Sequence, residues 1–86
     1  MAEVTILYFA WVREVVGTDA ERFAIEASVV TVSDVADRLA ARSFGHAAAF
    51  SDRSRLRVAV DQAMVDFAAP VAGAREIAFF PPVTGG

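Results

Sequence analysis

Arg75-Glu76-Ile77-Ala78-Phe79-Phe80-Pro81-Pro82-Val83-Thr84-Gly85-Gly86 closes the chain. Residues 75–80 are rich in branched and aromatic side chains and read as a core strand. Pro81 and Pro82 have no N–H to give a ladder, so the strand stops there. The residues beyond the prolines carry no charged side chain and end in a carboxylate on a glycine. Fully extended, residues 81–86 reach roughly 20 Å. A strand anchored in the core, continued by a thin uncharged end, presents a terminal carboxyl group to a narrow channel in another protein. Two terminal glycines alone would arise by chance in roughly 0.5% of chains; strand, stop and thin end in register are far more specific.

Outward from this strand, the chain reads as one small α+β unit. Residues 3–9 form a strand with Val4, Ile6 and Tyr8 on one face and Leu7 and Phe9 on the other, which suits a central strand covered on both sides. Residues 10–16 make a short helix stopped by Gly17, and residues 17–19 form a turn. Residues 22–27 alternate as a half-buried strand, with Phe23, Ile25 and Ala27 inward. The main helix is capped by Thr31, with Asp34 at the capping-box position. Val32, Val35, Ala36, Leu39 and Ala40 form its apolar stripe. Asp34 and Arg38 are placed as an i,i+4 pair, and Ser43-Phe44-Gly45 ends the helix. Residues 46–54 are irregular, with a helical turn carrying Phe50 inward. Two further strands lie at 55–60 and 64–67, joined by a tight turn at Asp61-Gln62, and a loop spans 68–74.

The expected fold is α+β: a β-grasp, ubiquitin-like mixed sheet of about five strands, with one main helix and short extra helices. The first and last strands lie side by side at its centre. Residues 1–80 form the β-grasp domain, and residues 81–86 a flexible C-terminal tail ending in Gly-Gly.

The octet Phe79 to Gly86 resembles the end of the molybdopterin synthase small-subunit family, the MoaD-type sulfur carriers of molybdenum cofactor synthesis. The stretch from Val4 to Gly17 looks like that family's first strand and short helix, and Arg57-Val58-Ala59-Val60-Asp61-Gln62 like its central strand and turn. Two places depart from the family pattern: Ala74-Arg75 where Gly-Asp is frequent, and Asp61 where Asn is common.

The resemblance implies a role for the tail. The Gly86 carboxylate, ionised at neutral pH, would be adenylated and converted to a thiocarboxylate, making Gly86 the catalytic position. ATP would be used by a separate activating enzyme, with no cofactor bound to this chain. The implied partners are the large synthase subunit, in a heterotetramer of two copies of each, an adenylyltransferase of the ubiquitin-activating type, and a sulfur donor protein. Sulfur would pass to cyclic pyranopterin monophosphate in the large subunit's active site. Phe79, Phe80, Pro81, Pro82, Val83, Thr84 and Gly85 are the expected partner-binding residues. Gly85 keeps the backbone thin, Val83 and Thr84 can make main-chain contacts inside the partner, and the prolines lower the entropy lost on insertion. One of Phe79 and Phe80 is expected in the core and the other against the partner. Sulfur carriers for thiamine, cysteine or tRNA thiolation, a ubiquitin-like modifier and a plain interaction module remain alternatives.

Composition narrows the field. The net charge is −3 with no basic cluster, which disfavours nucleic-acid binding. No apolar run approaches the ~20 residues of a membrane span, and the N-terminus lacks signal-peptide regions, so a cytoplasmic location is expected. Without cysteine there is no disulfide, thiolate zinc site or catalytic thiol. The lone His46 is expected as a solvent-facing loop residue. No metal site is expected, Asp34 being occupied with capping. The apolar fraction of 56% exceeds the usual about 45–50%, which points to apolar surface facing a partner.

Overall fold

The computed structural model describes residues 2–82. The elements run β1 (Ala2–Tyr8), α1 (Ala10–Val16), β2 (Ala20–Ile25), α2 (Val32–Ala40), α3 (Phe44–Ala49), β3 (Arg57–Val60), β4 (Ala63–Val65) and β5 (Glu76–Phe80), with a 3-10 turn at Arg53–Arg55. The strands form one mixed sheet in the order β2-β1-β5-β3-β4. β1 and β5 are parallel neighbours at its centre, with Ile6 opposite Ile77 and Tyr8 opposite Phe79. The remaining pairs are antiparallel. This is the β-grasp, ubiquitin-like arrangement expected from the element order.

Alternation along the strands puts Val4, Ile6, Tyr8, Ile77 and Phe79 into the core with Val32, Val35 and Leu39 of α2. Phe79 is the hub of an aromatic cluster. Its ring lies 4.9 Å from Phe50, 6.4 Å from Tyr8 and 6.3 Å from Phe67, centroid to centroid.

The ends of the helices are set by local chemistry. Gly17 closes α1 in the left-handed region (φ 96°), its N–H bonding the Arg13 carbonyl at 2.8 Å, a conformation that only glycine adopts without strain. At α2 both halves of the capping box form. The Asp34 N–H donates to Thr31 Oγ1 at 3.2 Å, and Asp34 Oδ2 accepts from the Thr31 N–H at 3.0 Å and the Val30 N–H at 2.9 Å. Those backbone donors hold the Asp34 carboxyl below its ordinary value. Two more free N–H groups of the first turn, on Val32 and Ser33, bond the carbonyls of Ala69 and Phe67, which fastens the loop before β5 to the helix. The Asp61-Gln62 turn has positive φ at both residues (49° and 71°), as a two-residue hairpin of the primed type requires. Asp61 Oδ1 accepts from the N–H groups of Arg75 and Glu76 at 2.9 and 3.0 Å. The two departures from the family pattern, Asp61 and Arg75, therefore meet at the start of β5.

Four expectations are corrected. α2 ends at Ala40, because Ser43 caps a further helix, accepting the His46 N–H at 3.1 Å, and Gly45 lets α3 close on α1 where a Cβ would strike the Val15 carbonyl. Arg38 does not reach Asp34; its guanidinium bonds Glu26 at 2.8 Å and Ser28 at 2.7 Å. β1 is central but covered on one face only, so Leu7 is half-buried and Phe9 is 48% exposed. His46 is buried, not solvent-facing. Its Nε2 lies 2.6 Å from Glu21 Oε2 and its Nδ1 2.7 Å from Ser43 Oγ, an arrangement satisfied when Nε2–H donates to the carboxylate.

Glu21 also accepts from Tyr8 Oη at 2.6 Å and Arg42 at 2.7 Å, so one carboxylate ties β1, β2, α3 and the end of α2 together. Burial alone would raise the Glu21 carboxyl, but the hydrogen bonds from Tyr8, His46 and Arg42 outweigh it and hold it below its ordinary 4.5. Burial and the same contact push the Tyr8 phenol far above its usual range. For a depressed acid the stabilisation is complete above the unfolded value and is lost as pH falls through the folded one. The melting temperature is therefore expected to drop on acidification below about pH 4.5, and more shallowly in Glu21→Gln, with Asp34 and Asp52, also depressed, supplying the remaining slope. A Glu21→Gln profile parallel to that of the parent chain over this range would contradict the assignment.

Candidate functional site

The site is built at the root of the tail. β5 ends at Phe80 in the middle of the sheet, between β1 and β3. Phe79 is fully buried, and the Phe9 N–H donates to its carbonyl at 3.2 Å. Phe80 points to the other face and is half-buried, as are Pro81 and Pro82. Phe79 thus belongs to the core, and Phe80 lies half-buried on the opposite face of the sheet. Val83, Thr84, Gly85 and Gly86, the remaining tail residues named from the sequence, lie outside the described residues.

The helix-free face of the sheet supplies a second component. Ala20, Leu7, Ala78, Ala59 and Met64 are in register across all five strands, and none has a polar side chain. Next to this row, at the end where the tail leaves, stand Phe9 and Phe80, with Arg57 opposite Phe80. Met64 is 63% exposed. Toward the other end the same face turns polar, with Thr5 and Glu3 bonded to Arg22, and Glu76 opposite Thr5. Part of the apolar surface anticipated from composition thus lies beside the tail root, with Val15, Val30 and Phe44 exposed elsewhere. Its position was missed in the sequence because Leu7 and Phe9 look like a second buried face of β1; the excess of apolar residues was the available signal.

Nothing else among the described residues converges into reactive chemistry. Among the described residues no group of three His, Cys, Asp or Glu side chains could hold a metal ion, and no helix is long and apolar enough to cross a membrane. The lone histidine is engaged with Glu21 and Ser43. What the arrangement can do is hold the strand that leads into the tail at a fixed point beside an apolar face.

Comparison with known proteins gives concordant matches. The model of the ThiS family matches residues 6–86. The molybdopterin synthase sulfur carrier subunit of Escherichia coli is 46% identical over 83 residues, covering 96% of this chain and 99% of that protein. The subunit of the same name from Haemophilus influenzae is 37% identical over the same shares. Among solved structures, SAMP1 of Haloferax volcanii, a small archaeal modifier protein, superposes with a TM-score of 0.72 at 26% identity, covering 99% of this chain and 100% of that one.

Proposed function

The chain belongs to the ThiS family, alongside the molybdopterin synthase sulfur carrier subunits, and from that membership we propose that it carries sulfur on Gly86 for molybdopterin synthase. The observation that carries the reading is the 46% identity spanning 96% of the chain. A tail root pinned at the centre of the sheet supports it.

In this reading the chain is a non-catalytic subunit whose own end is the reacting group. A Gly86 carboxylate oxygen attacks the α-phosphorus of ATP on an adenylating partner, and pyrophosphate leaves. A sulfide sulfur then attacks the acyl carbon of the adenylate, and AMP leaves with the electron pair of the broken C–O bond. The product is a thiocarboxylate. Inserted into the large subunit, it donates its sulfur to cyclic pyranopterin monophosphate. The chain's task is positional: β5 fixes where the tail starts, and glycine at 85 and 86 keeps the reacting carbon accessible.

The apolar row is the docking face for the large subunit under this proposal. A carboxylate placed at its exposed end would have to shed its water on association. Met64→Glu is expected to weaken binding to the large subunit by about 2 kcal/mol, roughly thirtyfold. Its melting temperature should be unchanged, since Met64 is largely exposed. Calorimetric titration checks this; equal affinities would remove the face from the interface.

The likeness to SAMP1 favours a second reading, attachment of Gly86 to lysines of target proteins. One reconstitution separates the two. The thiocarboxylated chain is mixed with the large subunit and cyclic pyranopterin monophosphate. Formation of molybdopterin, with return of the chain to its carboxylate mass, is expected. A chain that keeps its sulfur under these conditions, or that instead appears joined to protein amines, refutes the carrier reading.

A further inference from the structure

Two arginines that make no ion pair among the described residues flank the tail root. Arg55 and Arg57 bracket Leu56 just ahead of and at the start of β3, and Arg57 lies opposite Phe80, the last residue of β5. Four other arginines of this net-negative chain, Arg22, Arg38, Arg42 and Arg53, lie 3.1, 2.8, 2.7 and 2.6 Å from carboxylate oxygens, and Arg13 reaches Glu14 only at 4.0 Å. Among the described residues neither Arg55 nor Arg57 has such a partner. Arg57 donates only to the neighbouring Leu56 carbonyl, at 3.0 Å. Arg55 sits over the Trp11 ring, 4.7 Å from its centroid. That contact restrains the guanidinium without neutralising it; Asp52 feels its charge but makes no ion pair with it, so its fork of N–H donors can still meet a planar oxyanion. Trp11 lies just beyond Phe9, whose N–H holds the Phe79 carbonyl, so the two cations gather at the end of the sheet from which the tail departs.

We infer that Arg55 and Arg57 form a cationic collar that docks on carboxylates at the mouth of the site receiving the tail in the large subunit. The inference rests on the carrier reading, in which the tail enters such a site. A pocket that accepts a terminal carboxylate or thiocarboxylate is favourable to negative charge inside. Two guanidinium groups at the tail root require the opposite sign at the rim. That alternation sets how deeply the tail enters and steers the approach, since rim charges act mainly on association rate and register.

The test uses the full chain and three variants of equal charge change, Arg55→Glu, Arg57→Glu and Arg75→Glu, titrated against the large subunit at low and high ionic strength. Arg75 is exposed, precedes β5 at the opposite end of that strand, and likewise has no carboxylate partner among the described residues. Arg55→Glu and Arg57→Glu are each expected to weaken binding about tenfold at low salt. The loss should shrink to about twofold near 1 M, where the screening length is about 3 Å. Arg75→Glu should stay within about twofold throughout. Should Arg55→Glu lower the melting temperature by releasing Trp11, Arg57→Glu, which stacks on no aromatic ring, carries the test. Unchanged affinity in Arg57→Glu, or equal losses in all three variants, overturns the collar while leaving the carrier function standing. A parent chain that does not bind the large subunit at any salt concentration overturns both.

Discussion

Deletion of Gly86 is expected to abolish sulfur transfer and leave the fold intact. The new terminus, Gly85, also ends in a carboxylate, so charge and chemical class are preserved. What changes is reach: the reacting carbon withdraws by one residue, about 3.3–3.6 Å of extended chain. Reacting atoms must approach to about 3–3.5 Å, and a misplacement of about 1 Å already costs about a hundredfold. The root cannot slide forward to compensate, because β5 is locked between β1 and β3 and Phe79 is fully buried. Transfer should therefore fall by well over about a hundredfold, with an unchanged melting temperature, as read by molybdopterin formation and thermal unfolding. Gly86→Ala should also be impaired, since a methyl group is placed beside the reacting carbon. Either variant retaining full transfer would show that the tail end is not the reacting group.

Phe79→Ala is expected to have the largest effect on stability. The side chain is wholly buried and packs against Tyr8, Phe50 and Phe67. Truncation of a buried phenylalanine costs about 3–5 kcal/mol, against a total of about 5–15 kcal/mol for a typical domain. A chain of 86 residues has a small core and little reserve. Denaturant titration should find the variant largely unfolded or close to its midpoint in water. Phe79→Leu, which keeps most of the apolar volume, should lose far less. A loss below about 1 kcal/mol in Phe79→Ala would mean that the tail root is not anchored as described.

The elements that were legible in the sequence are those whose cause is local. Strand β5 and its proline stop, the Gly17 cap and the Thr31–Asp34 capping box each depend on a few adjacent residues, and each is present. The central pairing of β1 with β5 is a consequence of the element order. The readings that failed depend on partners distant in the chain. His46 is buried because Glu21, 25 positions earlier, accepts from its ring, and a lone histidine after a helix gives no sign of that. Ser43 looked like the end of one helix and is the cap of the next. Arg38 had a good helical partner in Asp34, yet Glu26 and Ser28 on the preceding segment took its guanidinium. For the site, the tail root could be read directly, whereas the apolar row beside it arises only from the register of five strands. The Arg55–Trp11 contact brings together residues from opposite halves of the chain.

The most direct test of the carrier function is the intact mass of the chain after incubation with ATP, a molybdopterin-pathway adenylating enzyme and a sulfide source. The expected result is a gain equal to exchanging one oxygen for one sulfur, sensitive to alkylation and absent when Gly86 is deleted. An unchanged mass, with an enzyme shown to load another carrier in the same preparation, would contradict a thiocarboxylate at Gly86.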